Sequence, residues 1–335
     1  MQIIQDTVAG LEVGAPVVHR QMAMFPLLNS KSDAGSRTYL TLDEALKSAT
    51  ARVSEVSEGG SVPELLFRNL GDKPVLLVEG EELVGAKQNR TLNVSILAPA
   101  GRETRIPVTC VEAGRWGYGD GVEFQRSDRA HYARGRRTKR EAVNRNMSHD
   151  PGSRAADQGA VWEDIDAKMA TMSARSDTAA MSDIYEQNRG SLDDYVVAFG
   201  QQPGQVGAVF MVGTTFAGVD LFAHEATFAG LLPKLARSYA LDAMELNPKT
   251  PFKPPRASAQ RLVADVVAAQ ARAYPAVGKG QDVRIESPSV AGGALVEGDA
   301  VLHLAAFRRD AEGGPNGSGG YRRASQRRAG RMRRH

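Results

Sequence analysis

Apolar and polar positions alternate with a period of two in two stretches of the first third of the chain. Leu92, Val94 and Ile96 are separated by Asn93 and Ser95, and Ile106, Val108 and Cys110 by Pro107 and Thr109. Successive side chains of a strand point to opposite faces, so each stretch predicts a strand with one face on a core. Pro99, Ala100 and Gly101 lie between them and predict a hairpin turn. Val75, Leu76, Leu77 and Val78 form an unbroken apolar run between Asp72, Lys73 and Pro74 on one side and Glu79 and Gly80 on the other, the pattern of a buried strand between turns. One helix interrupts this part: Thr41 caps LDEALKSATARV, and Glu44 completes a capping box.

The pattern changes after residue 116. Gly117, Gly119 and Gly121 make a flexible entry to a basic block over 126–145, opposed only by Asp128 and Glu141. Helices are predicted over 161–172 and 177–185, and GQQPG at 200–204 closes the section. GAVFMVG and GVDLFAH then read as strands, 225–244 as a helix bent at Pro233, and 257–274 as a helix stopped by Pro275. DVRIES and AVLHLAAF are the last two predicted strands. The expectation is an α+β chain: a mainly antiparallel, sandwich-like β layer at 1–116, a basic loop with helices at 117–204, and an α/β layer at 205–310 packed with the first as one functional unit. A disordered arginine-rich tail at 311–335 follows.

Composition sharpens the picture in two places. With 335 residues and 42% hydrophobic side chains, the chain can build a sizeable core. No apolar run approaches the roughly twenty residues of a membrane span, and the N-terminus lacks a secretory layout, so no membrane partner and a cytoplasmic location are expected. The single Cys110 agrees with a reducing compartment and reads as a small buried hydrophobe. The formal charge of +3 sits in the tail: residues 321–335 hold seven arginines, and 42 basic side chains less these seven leave 35 against 39 acidic ones.

The densest polar cluster in strand context is Lys87, Gln88, Asn89, Arg90 and Asn93. Extending the alternation backwards from Leu92 puts Gln88 and Arg90 on the core face, and Glu112 continues the inward series of Val108 and Cys110. We therefore expect Arg90 and Glu112 to pair. Two readings of the pair stay open: a structural ion pair that fixes strand register, or a clamp in which Arg90 with its polar neighbours grips a phosphate or carboxylate. Trp116 reads either as a stacking platform for a base or sugar or as a core residue. The turn with Glu79, Glu81 and Glu82 reads as a solvated surface turn, or else as a magnesium site or acid and base pair. Ser238 and Asp242 share a helix face beside Tyr239, within reach of Asp220. His224 and His303 have no zinc-ligand spacing, so no metal is assigned. Nucleophile-elbow, P-loop and dinucleotide fingerprints are missing, which disfavours standard cofactor enzymes and leaves the cofactor unknown.

Several phrases resemble one known family. They are Leu77-Val78-Glu79-Gly80-Glu81, Gly85-Ala86-Lys87-Gln88-Asn89-Arg90, Ile106-Pro107-Val108-Thr109-Cys110-Val111-Glu112 and Gly114-Arg115-Trp116, with Gln158, Trp162, Ser176, Thr178, Gly218-Val219-Asp220-Leu221-Phe222 and Ser238-Tyr239-Ala240-Leu241-Asp242-Ala243 further on. Together, over roughly residues 60–245, they are similar to the ARG and rhodanese-phosphatase-superfamily-associated protein domain, a family without an assigned activity. Its association with ADP-ribosylglycohydrolase-like and phosphatase-like proteins implies ADP-ribose or a related phosphorylated nucleotide as ligand. The leading expectation is an accessory or binding domain for a phosphorylated nucleotide-like small molecule, using Lys87, Gln88, Asn89, Arg90, Asn93, Arg115 and Trp116. Asp220, Ser238 and Asp242 would border the same pocket. A hydrolase of such a ligand, with Glu79, Glu81 or Glu112 as acid, base or metal ligand, is the alternative. A third reading is weak, salt-sensitive and sequence-blind nucleic-acid binding by the tail, whose plain counterpart is a solubilising extension.

Overall fold

The computed structural model describes residues 2–29, 36–57, 63–85, 87–115, 123–214, 216–247 and 252–309. Trp116, Gly117, Gly119, Gly121 and the tail from residue 311 lie outside the described residues. Within them stand eight helices and eighteen strands, the α+β content expected.

Nine strands form one antiparallel sheet. Its order is Glu12–Val13, Met22–Leu28, Gln205–Val212, Phe216–Phe222, Ala300–Arg308, Val290–Glu297, Gln281–Glu286 and Gln270–Pro275, with Val17–His19 also paired to Met22–Leu28. The central strands Gln205–Val212 and Phe216–Phe222 are buried along their whole length because both faces are covered. On one face, Ile4 and Val8 of the helix Gln2–Ala9 and Leu262 and Val266 of the helix Arg256–Ala268 pack on Val209, Val219 and Leu304. On the other lies the helix Glu225–Ala243, where Tyr239 stacks on Phe210 at 4.4 Å between ring centroids.

The other strands build a second body. A six-stranded sheet runs Gln125–Ala130, Glu81–Val84, Arg90–Leu92, Glu103–Cys110, Glu64–Asn69, Ala51–Glu55, and its two edges meet at a bridge between Val53 and Phe124, so it rolls back on itself. A three-stranded sheet of Ile96–Ala98, Val75–Leu77 and Leu40–Thr41 shares its core: Leu77 and Ile96 pack with Leu65, Phe67 and Val108. The helix Ala133–His149 touches both bodies, since its Val143 and Met147 join this core while the helix lies against Val290–Glu297 of the large sheet.

Several expectations are corrected. The capping box is present, with Glu44 N–H donating to Thr41 Oγ1 at 3.3 Å and Thr41 N–H to the Glu44 carboxylate at 2.8 Å, but the helix ends at Lys47. Ala51–Glu55 is a strand instead, because Ala51 and Val53 alternate into the core with Arg52 outside. The expected hairpin is half right. Leu92 pairs with Val108 and Arg90 with Cys110, yet a bend at 93–95 sends Ile96–Ala98 to pair with Val75–Leu77. The helix predicted over 257–274 stops at Ala268, and Gln270–Pro275 pairs with Gln281–Glu286. The strand Val290–Glu297 went unpredicted because Gly292 and Gly293 look like a loop. The helices Gln2–Ala9 and Arg189–Ala198 also went unpredicted.

Candidate functional site

The basic block over 126–145 is largely carried into the interior. Its strand Gln125–Ala130 and helix Ala133–His149 carry it inward, and on the helix Arg136, Lys139, Arg140, Val143 and Met147 recur at helical spacing and are all buried. A buried cation survives only with partners. Arg136 lies 2.9 Å from Glu79 and 2.5 Å from Asp220, and Arg140 lies 2.8 Å from the other oxygen of Glu79. Lys139 donates to Thr91 Oγ1 at 3.0 Å and to the Leu92 carbonyl at 2.7 Å. Gly80, with φ of +85°, lets the backbone turn beside the Arg136 side chain.

The protonation states follow from this packing. Burial opposes ionisation of Glu79, yet Arg140, Arg136 and Lys139 together hold its carboxyl down to about 2. Burial opposes the charge of Asp220 as well, and Arg136 with His303 keeps it well below the usual carboxylate range. Burial, only partly offset by Glu79, combines with Arg136 and Arg140 to pull the Lys139 ammonium down to about 7. Around this core stand Tyr239, whose hydroxyl donates to Asp220 at 3.0 Å, and His303, whose Nε2 lies 3.6 Å from the same carboxylate.

Two cavities adjoin this network of buried charges. A narrow fissure is lined by Ser95, Arg140, Arg284, Gly293, Leu295 and His303. A cleft of about 430 Å³ opens beyond it, between Asn144 and Ser148 of the helix Ala133–His149 and Gln270, Arg272, Tyr274 and Glu286 of the outer strands. Arg284 lines both. It pairs with Asp282, reaches Asn144 Oδ1 at 3.4 Å, and is pushed well below its ordinary range by burial and by Arg140. Gly293 makes the convergence of arginines possible: a Cβ there would stand 2.1 Å from Arg140 Nη1 and 2.8 Å from Arg284 Cζ.

A family model for the ARG and Rhodanese-Phosphatase-superfamily-associated Protein domain matches residues 10–307. The chain belongs to that family. No curated protein and no solved structure matches it. The family match reaches well beyond residues 60–245, and includes the N-terminal strands of the large sheet.

The residues that carry the family resemblance fall into separate clusters. Arg90 is buried on the predicted face, opposite Cys110, but no ion pair joins it to Glu112 among the described residues. Its Nη1 donates to Gln88 Oε1 at 3.0 Å, while Nε and Nη2 have no hydrogen-bond partner there. Glu112 is taken by Arg115 at 2.7 Å, by the Asn89 N–H at 3.1 Å and by Thr178 Oγ1 at 2.8 Å, because the chain leaves the strand after Cys110 and turns Glu112 toward 178–180. Arg115 also reaches Asn89 Oδ1 at 3.1 Å, and Lys87 is half-buried in the same turn. Asn93 accepts from Thr109 Oγ1 at 2.6 Å and donates to the Arg154 carbonyl at 3.0 Å. Gln158 clamps the Cys110 backbone through both ends of its amide, at 2.8 and 2.9 Å.

Asp220, Ser238 and Asp242 lie elsewhere. Ser238 donates to the His131 carbonyl at 2.6 Å, and Asp242 takes Lys168 at 2.5 Å and the Arg134 N–H at 2.8 Å. The acidic turn is not solvated: Glu79, Glu81 and Glu82 are all buried. Nor do the carboxylates converge. Glu79 faces Arg136 and Arg140, Glu81 faces Lys234 at 2.7 Å, Glu82 faces Arg129 at 2.8 Å, and Glu112 has its own arginine. Of the described candidates, none lines the fissure or the cleft. Arg140, Arg284 and His303 do, and sequence reasoning missed them. The signal for Arg140 was its helical spacing with Arg136, Val143 and Met147; Arg284, inside DVRIES, gave none beyond a charge in a strand.

Proposed function

We propose that the domain binds a small phosphorylated ligand, nucleotide-like in size, in the cleft between the helix Ala133–His149 and the edge strand Gln270–Pro275. The observation that carries this reading is Arg284, a buried guanidinium at the floor of a cavity of about 430 Å³. Small-molecule sites commonly measure about 300–1,000 Å³. Behind the cleft lining, Arg140 and Arg154 crowd against Arg284, with Glu79 and Asp282 as the nearby carboxylates, and Glu79 is shared with Arg136. An anion entering the cleft relieves that repulsion, and guanidinium groups match phosphate oxygens. Exposed Arg272 adds a second cation at the wall, while Tyr274, Asn144 and Gln270 offer a ring face and amides to the rest of the ligand. The family's association with ADP-ribosylglycohydrolase-like and phosphatase-like proteins favours ADP-ribose and its relatives as first candidates.

Thermal melting with ADP-ribose, NAD, mononucleotides and cyclic nucleotides tests the reading. At about a hundred times Kd a ligand stabilises by about 2.7 kcal/mol, a readily measured rise in Tm. Arg272→Ala should leave the ligand-free Tm unchanged and remove most of the rise. A flat panel, or a rise that Arg272→Ala leaves intact, overturns the proposal.

A further inference from the structure

Ser95 stands in the bend between Arg90–Leu92 and Ile96–Ala98, at the inner end of the fissure. Its Oγ accepts the Glu79 N–H at 3.0 Å and lies 2.7 Å from His303 Nδ1. An oxygen that accepts from the backbone directs its own proton at the imidazole, so Nδ1 is assigned as acceptor. The neutral ring then carries its proton on Nε2, which faces Asp220 Oδ1 at 3.6 Å. Asp220 is itself fixed by Arg136 and by the Tyr239 hydroxyl. Phe222 stacks on the imidazole at 4.7 Å and keeps it in plane with this arrangement. Across the fissure are Arg140 and Arg284, whose Nε atoms have no hydrogen-bond partner among the described residues.

A hydroxyl held against a base is the arrangement that turns serine into a nucleophile, and two guanidinium groups opposite it suit the charge of a phosphoryl group under attack. We propose that Ser95 is a nucleophile, with His303 as its base, acting on a phosphoester whose phosphate is drawn between Arg140 and Arg284. The Oγ–P bond forms and the ester P–O bond breaks, while the hydroxyl proton passes to His303 Nδ1 and from there to the leaving alcohol. Water then attacks the phosphoserine and the Oγ–P bond breaks, the proton of water passing by the same nitrogen to the departing Ser95 Oγ, so inorganic phosphate, free Ser95 and neutral His303 are restored. In this conformation the fissure has no room for a water molecule, so reaction requires the Arg140 and Arg284 side chains to part far enough to admit the phosphate between them. The substrate class rests on the binding reading above; the nucleophile itself does not.

The probe is diisopropyl fluorophosphate with the full chain, followed by intact mass and peptide mapping. Attack forms the Oγ–P bond and expels fluoride, so a single diisopropylphosphoryl group is expected on Ser95. Ser95→Ala should take up none, His303→Gln should react at least about tenfold more slowly, and wild-type protein unfolded in urea should not react at Ser95. The unfolded control needs no variant and separates an activated serine from ordinary serine reactivity. No adduct on folded wild-type protein, an adduct confined to other residues, or one on Ser95 that unfolding or His303→Gln leaves unchanged, overturns the proposal. The melting panel is read separately, so labelling without a Tm shift removes the ligand reading alone, and a shift without labelling removes the nucleophile alone.

Discussion

Burying Glu79 between Arg136 and Arg140 ties stability to pH in a direction that can be worked out. Its folded value of about 2 lies below the ordinary 4.5, so its contribution is complete above pH 4.5 and is lost as pH falls toward 2. At about 1.4 kcal/mol per tenfold change in proton affinity this amounts to about 3 kcal/mol. Lys139 is held at about 7 against an ordinary 10.5, so between those values the unfolded chain binds the extra proton and stability rises with pH. Urea unfolding at a series of pH values should therefore show a midpoint that climbs through both windows. Glu79→Gln should lose the acid limb and cost about 3–5 kcal/mol at neutral pH, because two buried arginines then share one fewer anion. A wild-type midpoint that is level between pH 2.5 and 5 would sink this account. The sequence concealed these residues for a physical reason: charged turns and basic runs are usually solvated. What buries them is a set of partners 47 to 84 positions away along the chain.

At the level of elements, local chemistry was readable wherever it acts over a few residues. The Thr41 and Glu44 cap, the buried run at 75–77 and the pairing of 90–92 with 108–110 all depend on side chains near one another in sequence or on a strict period. The misread elements depend on distant neighbours. Alanine-rich 257–274 has helix propensity throughout, but its last five residues gain more by pairing with Gln281–Glu286. The strand Val290–Glu297 is the sharper case, since Gly292 and Gly293 look like breakers, yet Gly293 admits the arginines and Gly292 admits Ala306 of the neighbouring strand. Gly293→Ala tests this. Arg140 is held by Glu79 and Arg284 is buried, so neither guanidinium yields easily to the new Cβ. A loss of about 1–3 kcal/mol is expected in urea unfolding. An unchanged midpoint would mean that the arginines have room to move, and that the close packing at the fissure is not enforced by this strand.

Across the whole molecule, charge is divided between an interior that consumes it and a terminal segment that concentrates it. The described body ties Arg129, Arg136, Lys139 and Arg140 of the basic block, and Lys168 and Lys234 outside it, to internal partners, so half of the block's eight basic side chains cannot serve a polyanion. The seven arginines of 321–335 have no acidic residue among them in sequence. Each phosphate neutralised contributes about −0.9 to the slope of log affinity against log salt, which sets a ceiling of about six for seven contacts on duplex DNA. Truncation after Asp310 should therefore abolish whatever salt-sensitive, sequence-blind binding the full chain has, as read by fluorescence anisotropy. It should leave Tm and any small-ligand shift unchanged, because the family match ends at residue 307 and the cleft lies within it. Nucleic-acid affinity that survives the truncation would relocate the polyanion contact to the body, where exposed arginines such as Arg272 at the cleft wall would be the first to substitute.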